Sequence, residues 1–374
     1  MVPVPRELGM NTNRVEYVGH KPVMVDEVIN LLKNLDPGVV IDATFGSGGH
    51  SSEILNVYSN FNIIGIDRDL DSIESSSLDI ELHHSNFSNI DEIVKRDNLK
   101  DIRCVLFDFG LSTHQIEDKE RGFTFEEDVT LDMRMDRTQE LTAREFLNSV
   151  SAEELISVIR NYGEERYSKR VANEIIKSRP INTSYELSKA IDRAVPIKNP
   201  VDRKKSIRKC FQAIRIFVNE ELEHIETGLR KSIEVVNQDG IIIAISYHSL
   251  EDKIVKRIFS KYSQVCICPK EILECLCDNE PKLLFGKPKK IFPKDSEIIK
   301  NSILLALPKQ EKWIILKMSS KFHVSTDVHF FNSSGSILVV REGPGTGSEF
   351  RCRSKVSKIL STPRVEGKSV QMGP

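Results

Sequence analysis

Charge of one sign is what this chain lacks: 53 Lys and Arg stand against 55 Asp and Glu, a formal net charge of −2. Binding to nucleic acid through overall charge is thereby excluded, and any such contact needs local basic patches. Long apolar runs are missing too. None approaches the length of a membrane span, so no membrane association is expected. The opening residues, "MVPVPRELGMNTNRVEYVG", have neither an apolar signal core nor an Arg-rich amphipathic pattern. Cysteine is sparse, seven in 374 residues. Four of them bunch at Cys266, Cys268, Cys275 and Cys277, which does not suit a secreted disulfide framework. The expected compartment is the cytoplasm. What is present is ordinary globular composition, 39% hydrophobic and 29% charged, enough for one large domain or two smaller ones.

Hydrophobic patterning predicts an α/β fold. "HKPVMVDEVINLLKNL" is an amphipathic helix that "PG" at Pro37–Gly38 ends. "VVIDA", "NIIGIDRD", "IELHHSN", "IRCVLFDFG" and "GIIIAISYHS" read as five strands. Helical patterns at Ser51–Val57, Leu70–Ser77 and Asn89–Arg96 separate the early ones. Continuous apolar strands alternating with helices imply a parallel sheet covered on both faces. About 130 residues lie between the fourth and fifth strands, far beyond an ordinary crossover. They contain helical patterns at Ala152–Arg160, Glu164–Ser178 and Tyr185–Arg193, and a long one at Phe211–Val236. A helical lobe inserted at about 112–208 is therefore expected, with no internal repeat.

The stretch "VVIDATFGSGGHSSEIL" has the layout of a small-molecule cradle. Gly46, Gly48 and Gly49 allow positive φ and close backbone approach, and the following helix start offers unpaired N–H groups. Asp67 ends the second strand, placed to accept from ribose hydroxyls. The pattern is GxGG, not the GxGxxG of dinucleotide sheets, which favours a nucleoside ligand carrying a carboxylate. S-adenosylmethionine fits, with Asp42 placed to pair with its ammonium. The plainer alternative is a strand–turn–helix with an acidic surface residue. In "FDFGLSTHQ", Asp108 faces the same crevice, with Ser112 and Gln115 in reach. Methyl transfer to an exocyclic amine needs such acceptors to orient N–H bonds, and needs no metal or covalent intermediate. An Asp capping a turn would leave the same local pattern.

The ordered set "HKPVMVDEV", "DATFGSGGHS", "GIDRD", "DFGLSTHQIEDKERGFTFEEDVTLDMRMD", "YGEERYSKRVANEI", "FQAIRIFVNEELEHIE" and "SYHSLEDKIVKRIF" resembles the MraW family over roughly residues 15–300. That family comprises S-adenosylmethionine-dependent methyltransferases acting on N4 of a cytosine in small-subunit (16S) ribosomal RNA. The resemblance implies a Rossmann-like class I methyltransferase sheet in 15–111 and 209–302, with the lobe at 112–208 serving substrate recognition. It further implies cofactor contacts from Gly48, Gly49, His50, Asp67, Phe87, Asp108 and Gln115. Catalytic candidates are Asp108 and Ser112, joined by Ser246 and His248 in "SYHSLED" after the fifth strand. There Ser249 is the expected N-cap, with Asp252 at the third helical position. The implied partner is small-subunit RNA, recognised largely by shape; assembly state is open, a homodimer included.

Local basic runs suit phosphate contacts. "VDRKKSIRKC" supplies Arg203, Lys204, Lys205, Arg208 and Lys209, and "KLLFGKPKKIFPK" adds five lysines with Phe285 and Phe292. A solvated charge run is the alternative. The cysteines Cys266-x-Cys268 and Cys275-x-Cys277 have CxC spacing, less common than CxxC for zinc. A four-thiolate zinc site, a disulfide and a plain structural role without metal all stay open, and no metal is assigned to them. From about residue 303 the chain departs from the family, which continues with an Arg-Ser-Ala-Lys-type stretch. Codons able to encode "LALPK" can, read in a shifted frame, encode Arg-Ser-Ala-Lys. The expectation is an out-of-frame tail over 303–374, poorly ordered and without function. Two other readings compete with the enzyme. A DNA or protein methyltransferase is one, disfavoured for DNA by the missing Asp-Pro-Pro. A catalytically weak RNA-binding assembly factor is the other.

Overall fold

The computed structural model describes residues 22–264, 266–269, 276–277, 279 and 281–283, together with the backbone at 289–291, 313–318, 330–331 and 337–338. The chain forms two compact units, Met1–Ser263 with Pro281–Phe322, and Gln264–Glu280 with His323–Pro374.

The first unit begins α1 (Val25–Leu32), β1 (Val39–Asp42), α2 (Gly49–Val57), β2 (Asn62–Asp67), α3 (Leu70–Glu74), β3 (Glu81–His84), α4 (Ile90–Arg96) and β4 (Ile102–Asp108). Seven helices follow: α5 (Thr113–Glu117), α6 (Ala143–Ser149), α7 (Ala152–Gly163), α8 (Ser168–Lys177), α9 (Ser184–Ala194), α10 (Pro200–Val218) and α11 (Glu221–Val235). The chain then re-enters the sheet as β5 (Ile241–Ser246), continues as α12 (Ser249–Tyr262), and adds β6 (Lys289–Ile291) and β7 (Trp313–Met318). Among the described residues no helix is long and apolar enough to cross a membrane.

Strand order is β3-β2-β1-β4-β5-β7-β6. The first five strands are parallel, and β7 pairs antiparallel with β5 and β6. Alternate residues feed two cores. Ile41, Val105, Phe107, Ile242 and Ala244 face α4, α11 and α12, whereas Val40, Cys104, Leu106 and Ile243 face α1 and α2. Burial on both faces is what the continuous apolar runs demand. The direction of winding reverses between β1 and β4, so a crevice opens beyond their carboxyl ends.

The helical lobe has a core of its own, from Leu131 to Val218, built on α6 to α10. The expected lobe boundary at 208 falls inside α10, whose Cys210, Phe211, Ile214 and Val218 belong to the lobe core. The expected continuous helix over 211–236 is two helices. Asn219 takes Met135 N–H at 2.7 Å and donates to Met133 O at 2.7 Å, and Glu220 adopts φ 48°. The apolar periodicity runs on across this break, which hides it. Glu164 is also at φ 48° and separates α7 from α8.

One segment of the expected 303–374 tail lies among the described residues. Trp313–Met318 pairs with all six residues of β5. A strand edge with unpaired N–H and C=O groups recruits an apolar β-prone run, which "WIILKM" provides. The rest of the 303–374 expectation lies outside the described residues, apart from the short pairing of Phe330–Phe331 with Ile337–Leu338 in the second unit. Cys275, Phe285, Phe292 and the lysines at 287 and 294 also lie outside them.

Candidate active site

One cleft sits at the β1–β4 reversal, about 1140 Å³ including its open mouth. Its first wall is the glycine turn. Gly46 and Gly48 take φ of 52° and 78°, and α2 starts at Gly49. Gly46, Ser47, Gly49 and His50 line the cleft; Gly48 does not. A Cβ on Gly48 would lie 2.7 Å from both Leu78 Cδ1 and Phe45 Cζ. Gly48 therefore shapes the turn by conformation and close packing.

Asp67 closes β2 at the next wall. Its Oδ2 accepts from Gly46 N–H at 2.6 Å and its Oδ1 from Asp69 N–H at 2.8 Å. Burial nevertheless pushes its carboxyl up to about 6, outweighing those two bonds. Each oxygen keeps a lone pair for a ligand hydroxyl. Phe87 lies alongside, its ring edge-on to Phe107 at 5.5 Å and held against α11 by the absence of a side chain at Gly228. Phe87 and Ile225 give the cleft an apolar slot.

The opposite wall carries an acid network. Asp108 N–H donates to Thr44 Oγ1 at 2.6 Å, and Tyr247 O–H donates to Asp108 Oδ1 at 2.6 Å. His50 Nε2 lies 3.5 Å from Asp108 Oδ2. Asp42, expected to meet an ammonium, is buried beneath this wall. It accepts from Ser51 Oγ at 2.7 Å and does not line the cleft. Burial raises its pKa, and the His50 charge opposes the rise.

Ser112 and Gln115 line the cleft but are tied into structure. They form a capping box at the start of α5, and Gln115 Nε2 donates to buried Asp69 Oδ2 at 2.8 Å. Asp69 also accepts from fully buried Arg121 at 2.6 Å, so "GIDRD" and "RGFTF" are locked together.

Ser246 and His248 are not brought to the cleft; Tyr247 between them is. Successive side chains of an extended chain alternate in direction, so reading one residue off selects the wrong face. The N-cap of α12 is His248, not Ser249, and its partner is Glu251 rather than Asp252. His248 Nδ1 accepts Glu251 N–H at 3.4 Å, and its Nε2 lies 3.1 Å from Glu251 Oε1. Burial would raise the Glu251 pKa, but His248 and Tyr247 N–H bring it below the usual value.

Arg68, Met135, Glu221, Ile225 and Tyr247 line the cleft without having been singled out in the sequence. Arg68 is anchored by two donations to Asn219 O, at 3.1 and 3.0 Å. Only its place inside "GIDRD" marked it. Glu221, Ile225 and Met135 come from the lobe and its return helix, and no local pattern aims them at a strand end.

A parallel sheet ordered 3-2-1-4-5 with an antiparallel strand beyond, and a glycine turn and strand-end acid at its crevice, is the arrangement of a Rossmann-like class I methyltransferase. Within that class the chain belongs to the MraW methylase family, whose model matches residues 17–304. It is 43% identical over 292 residues to the ribosomal RNA small subunit methyltransferase H of Caldicellulosiruptor bescii, covering 75% of this chain and 94% of that protein. It is 40% identical over 292 residues to the protein of that name from Halothermothrix orenii, with the same coverage. The Dehalococcoides mccartyi relative is 40% identical over 295 residues, covering 77% of this chain and 84% of that protein. Membership implies a methyl donor of the S-adenosylmethionine type.

Proposed function

We propose that the cleft binds S-adenosylmethionine and that the chain transfers its methyl group to N4 of a cytidine in small-subunit (16S) ribosomal RNA. The observation that carries the reading is the pairing, across one cleft, of the Asp67–Gly46 cradle with the Asp108–Tyr247 acid network. The donor set fits the cofactor. Asp67 accepts the ribose hydroxyls, Phe87 and Ile225 flank the adenine, and the start of α2 meets the carboxylate. When bound, the cofactor supplies an electrophilic methyl on a sulfonium.

The remaining work falls to the chain's own groups. Asp108, fixed by Tyr247 O–H and Thr44, accepts from the target amine and turns its lone pair toward the methyl. As the new C–N bond forms and the sulfur–methyl bond breaks, the amine nitrogen gains positive charge. The Asp108 carboxylate stabilises that charge and is placed to take the proton the amine then loses. Arg68 and the aromatic slot narrow the cleft against water. A base inside a helix cannot reach such a cleft, so it must leave its stack.

Family relatives are named for small-subunit RNA, which supports that substrate here. The basic stretch of α10 supports it too. Lys204 pairs with Glu126, Lys205 with Asp202, Arg203 with Asp192, Lys209 with the Glu164 carbonyl, and Arg208 is exposed. Exposed ion pairs are weak, so phosphates can replace the acids. Labelled methyl transfer to small subunits, free ribosomal RNA and duplex DNA tests the reading. Label in subunits is expected. Label in DNA alone would refute the substrate. Cofactor binding without transfer would favour the assembly-factor reading.

A further inference from the structure

A second cluster lies in the excursion that follows α12, and neither the fold nor the cleft uses it. The excursion leaves and returns at one point. Tyr262 O accepts from Lys282 N–H at 3.0 Å and from Leu283 N–H at 3.1 Å. Within the loop the thiols of half-buried Cys266, Cys268 and Cys277 converge, their Sγ atoms all within 4.8 Å of one another. Nothing in the packing of an apolar core requires this. Three thiols brought together in a polar loop have three chemical outcomes: a disulfide, unreacted thiols, or a shared metal.

The geometry excludes the disulfide, and the Cys277 thiol donating to Cys266 Sγ holds the sulfurs at a spacing that a metal can bridge. Cys266 and Cys277 Sγ stand 3.7 Å apart, far beyond the roughly 2.05 Å of a disulfide. Tetrahedral zinc, with Zn–S near 2.3 Å, sets its sulfurs about 3.8 Å apart. Backbone N–H groups are also aimed at the sulfurs, and reciprocally. Ile267 N–H donates to Cys277 Sγ at 3.4 Å, and Leu276 N–H donates to Cys268 Sγ at 3.4 Å. Such bonds stabilise thiolate over thiol and orient the ligands. Each CxC pair thus lends the residue beside one cysteine to a sulfur of the other pair, which fixes both arms around one point. Purely sulfur donors select zinc among the common divalent ions.

We propose that Cys266, Cys268 and Cys277 bind a structural zinc ion that clips the 264–280 excursion. Binding breaks the three S–H bonds, forms three Zn–S bonds and releases the protons to solvent. Zinc takes a fourth donor at the remaining position. The ion neither touches substrate nor enters methyl transfer. Its effect is on the order of this loop, and on its resistance to proteases.

The test uses the full chain purified without chelator. Metal analysis should find about one zinc per chain. Cobalt exchanged into the site should give the intense visible absorption of tetrahedral thiolate coordination. Cys268→Ser and Cys277→Ser should each lower zinc retention at least about tenfold. Circular dichroism and the unfolding midpoint of each variant report whether the main domain still folds. To cover variants that fail to fold, the unaltered chain is treated with a strong chelator. Cleavage within 264–280 by a protease should then rise and be reversed by added zinc. Overturning results are three: metal-free protein from zinc-sufficient expression, a Cys266–Cys277 disulfide in the isolated chain, or iron with sulfide in place of zinc.

Discussion

At the scale of single residues, the cleft works through carboxyl groups in unlike surroundings. In the proposed function Asp67 accepts two ribose hydroxyls best when ionised, and burial pushes its pKa up to about 6. A proton competes with the ligand, so S-adenosylmethionine affinity should fall as pH drops through about 6, where an ordinary Asp would hold until about 4. Calorimetric titration across that range checks it. Asp67→Asn should weaken binding at least about tenfold and flatten the pH profile. The sign for the ligand-free fold is opposite. This carboxyl holds its proton more tightly folded than unfolded, so its contribution to stability declines between about pH 4 and 6. Tyr247→Phe removes the donor to Asp108. Single-turnover transfer should slow about tenfold or more while cofactor affinity changes less than about threefold. Equal losses in both would make Tyr247 a binding residue only. The place of Asp67 and Asp108 at the cleft was legible in the sequence because each ends an apolar run that reads as a parallel strand. Tyr247 was not, because "SYHS" does not reveal which alternate faces the crevice.

At the scale of elements, the strands and early helices were legible because continuous apolar runs separated by Gly, Pro and Asp leave little choice. The break at Asn219–Glu220 was not, since the side-chain amide of Asn219 satisfies backbone groups 84 and 86 positions away. Long-range bonds of that kind leave no mark on local periodicity. The same holds for Arg121, buried in "RGFTF" against Asp69 and Asp71 of α3 and its cap. Arg121→Met should cost about 3–5 kcal/mol by leaving buried Asp69 without its cation, seen as a lower urea midpoint. A loss under about 1 kcal/mol would mean Asp69 is held by Gln115 alone. Phe107, fully buried where β4 meets the aromatic cluster, should cost about 3–5 kcal/mol as Phe107→Ala.

At the scale of the whole molecule, the family match stops at residue 304, yet the sheet gains a strand at Trp313–Met318. Sequence beyond the family's own span therefore covers the β5 edge. Removing 305–374 should expose that edge, lowering the unfolding midpoint and promoting association, as light scattering would detect. Unchanged stability would mean the strand contributes nothing. The out-of-frame hypothesis has a separate check in the gene. A shifted frame read from about codon 303 should restore an Arg-Ser-Ala-Lys-type ending, and if no shifted frame does so the idea ends.

The central claim is one cleft, one methyl donor and one base atom. Its most direct test is nucleoside mass spectrometry of small subunits lacking the modification, after incubation with the full chain and labelled S-adenosylmethionine. The account predicts labelled N4-methylcytidine, lost with Asp108→Asn. Label on a different atom or base, or N4-methylcytidine undiminished in Asp108→Asn, would contradict it.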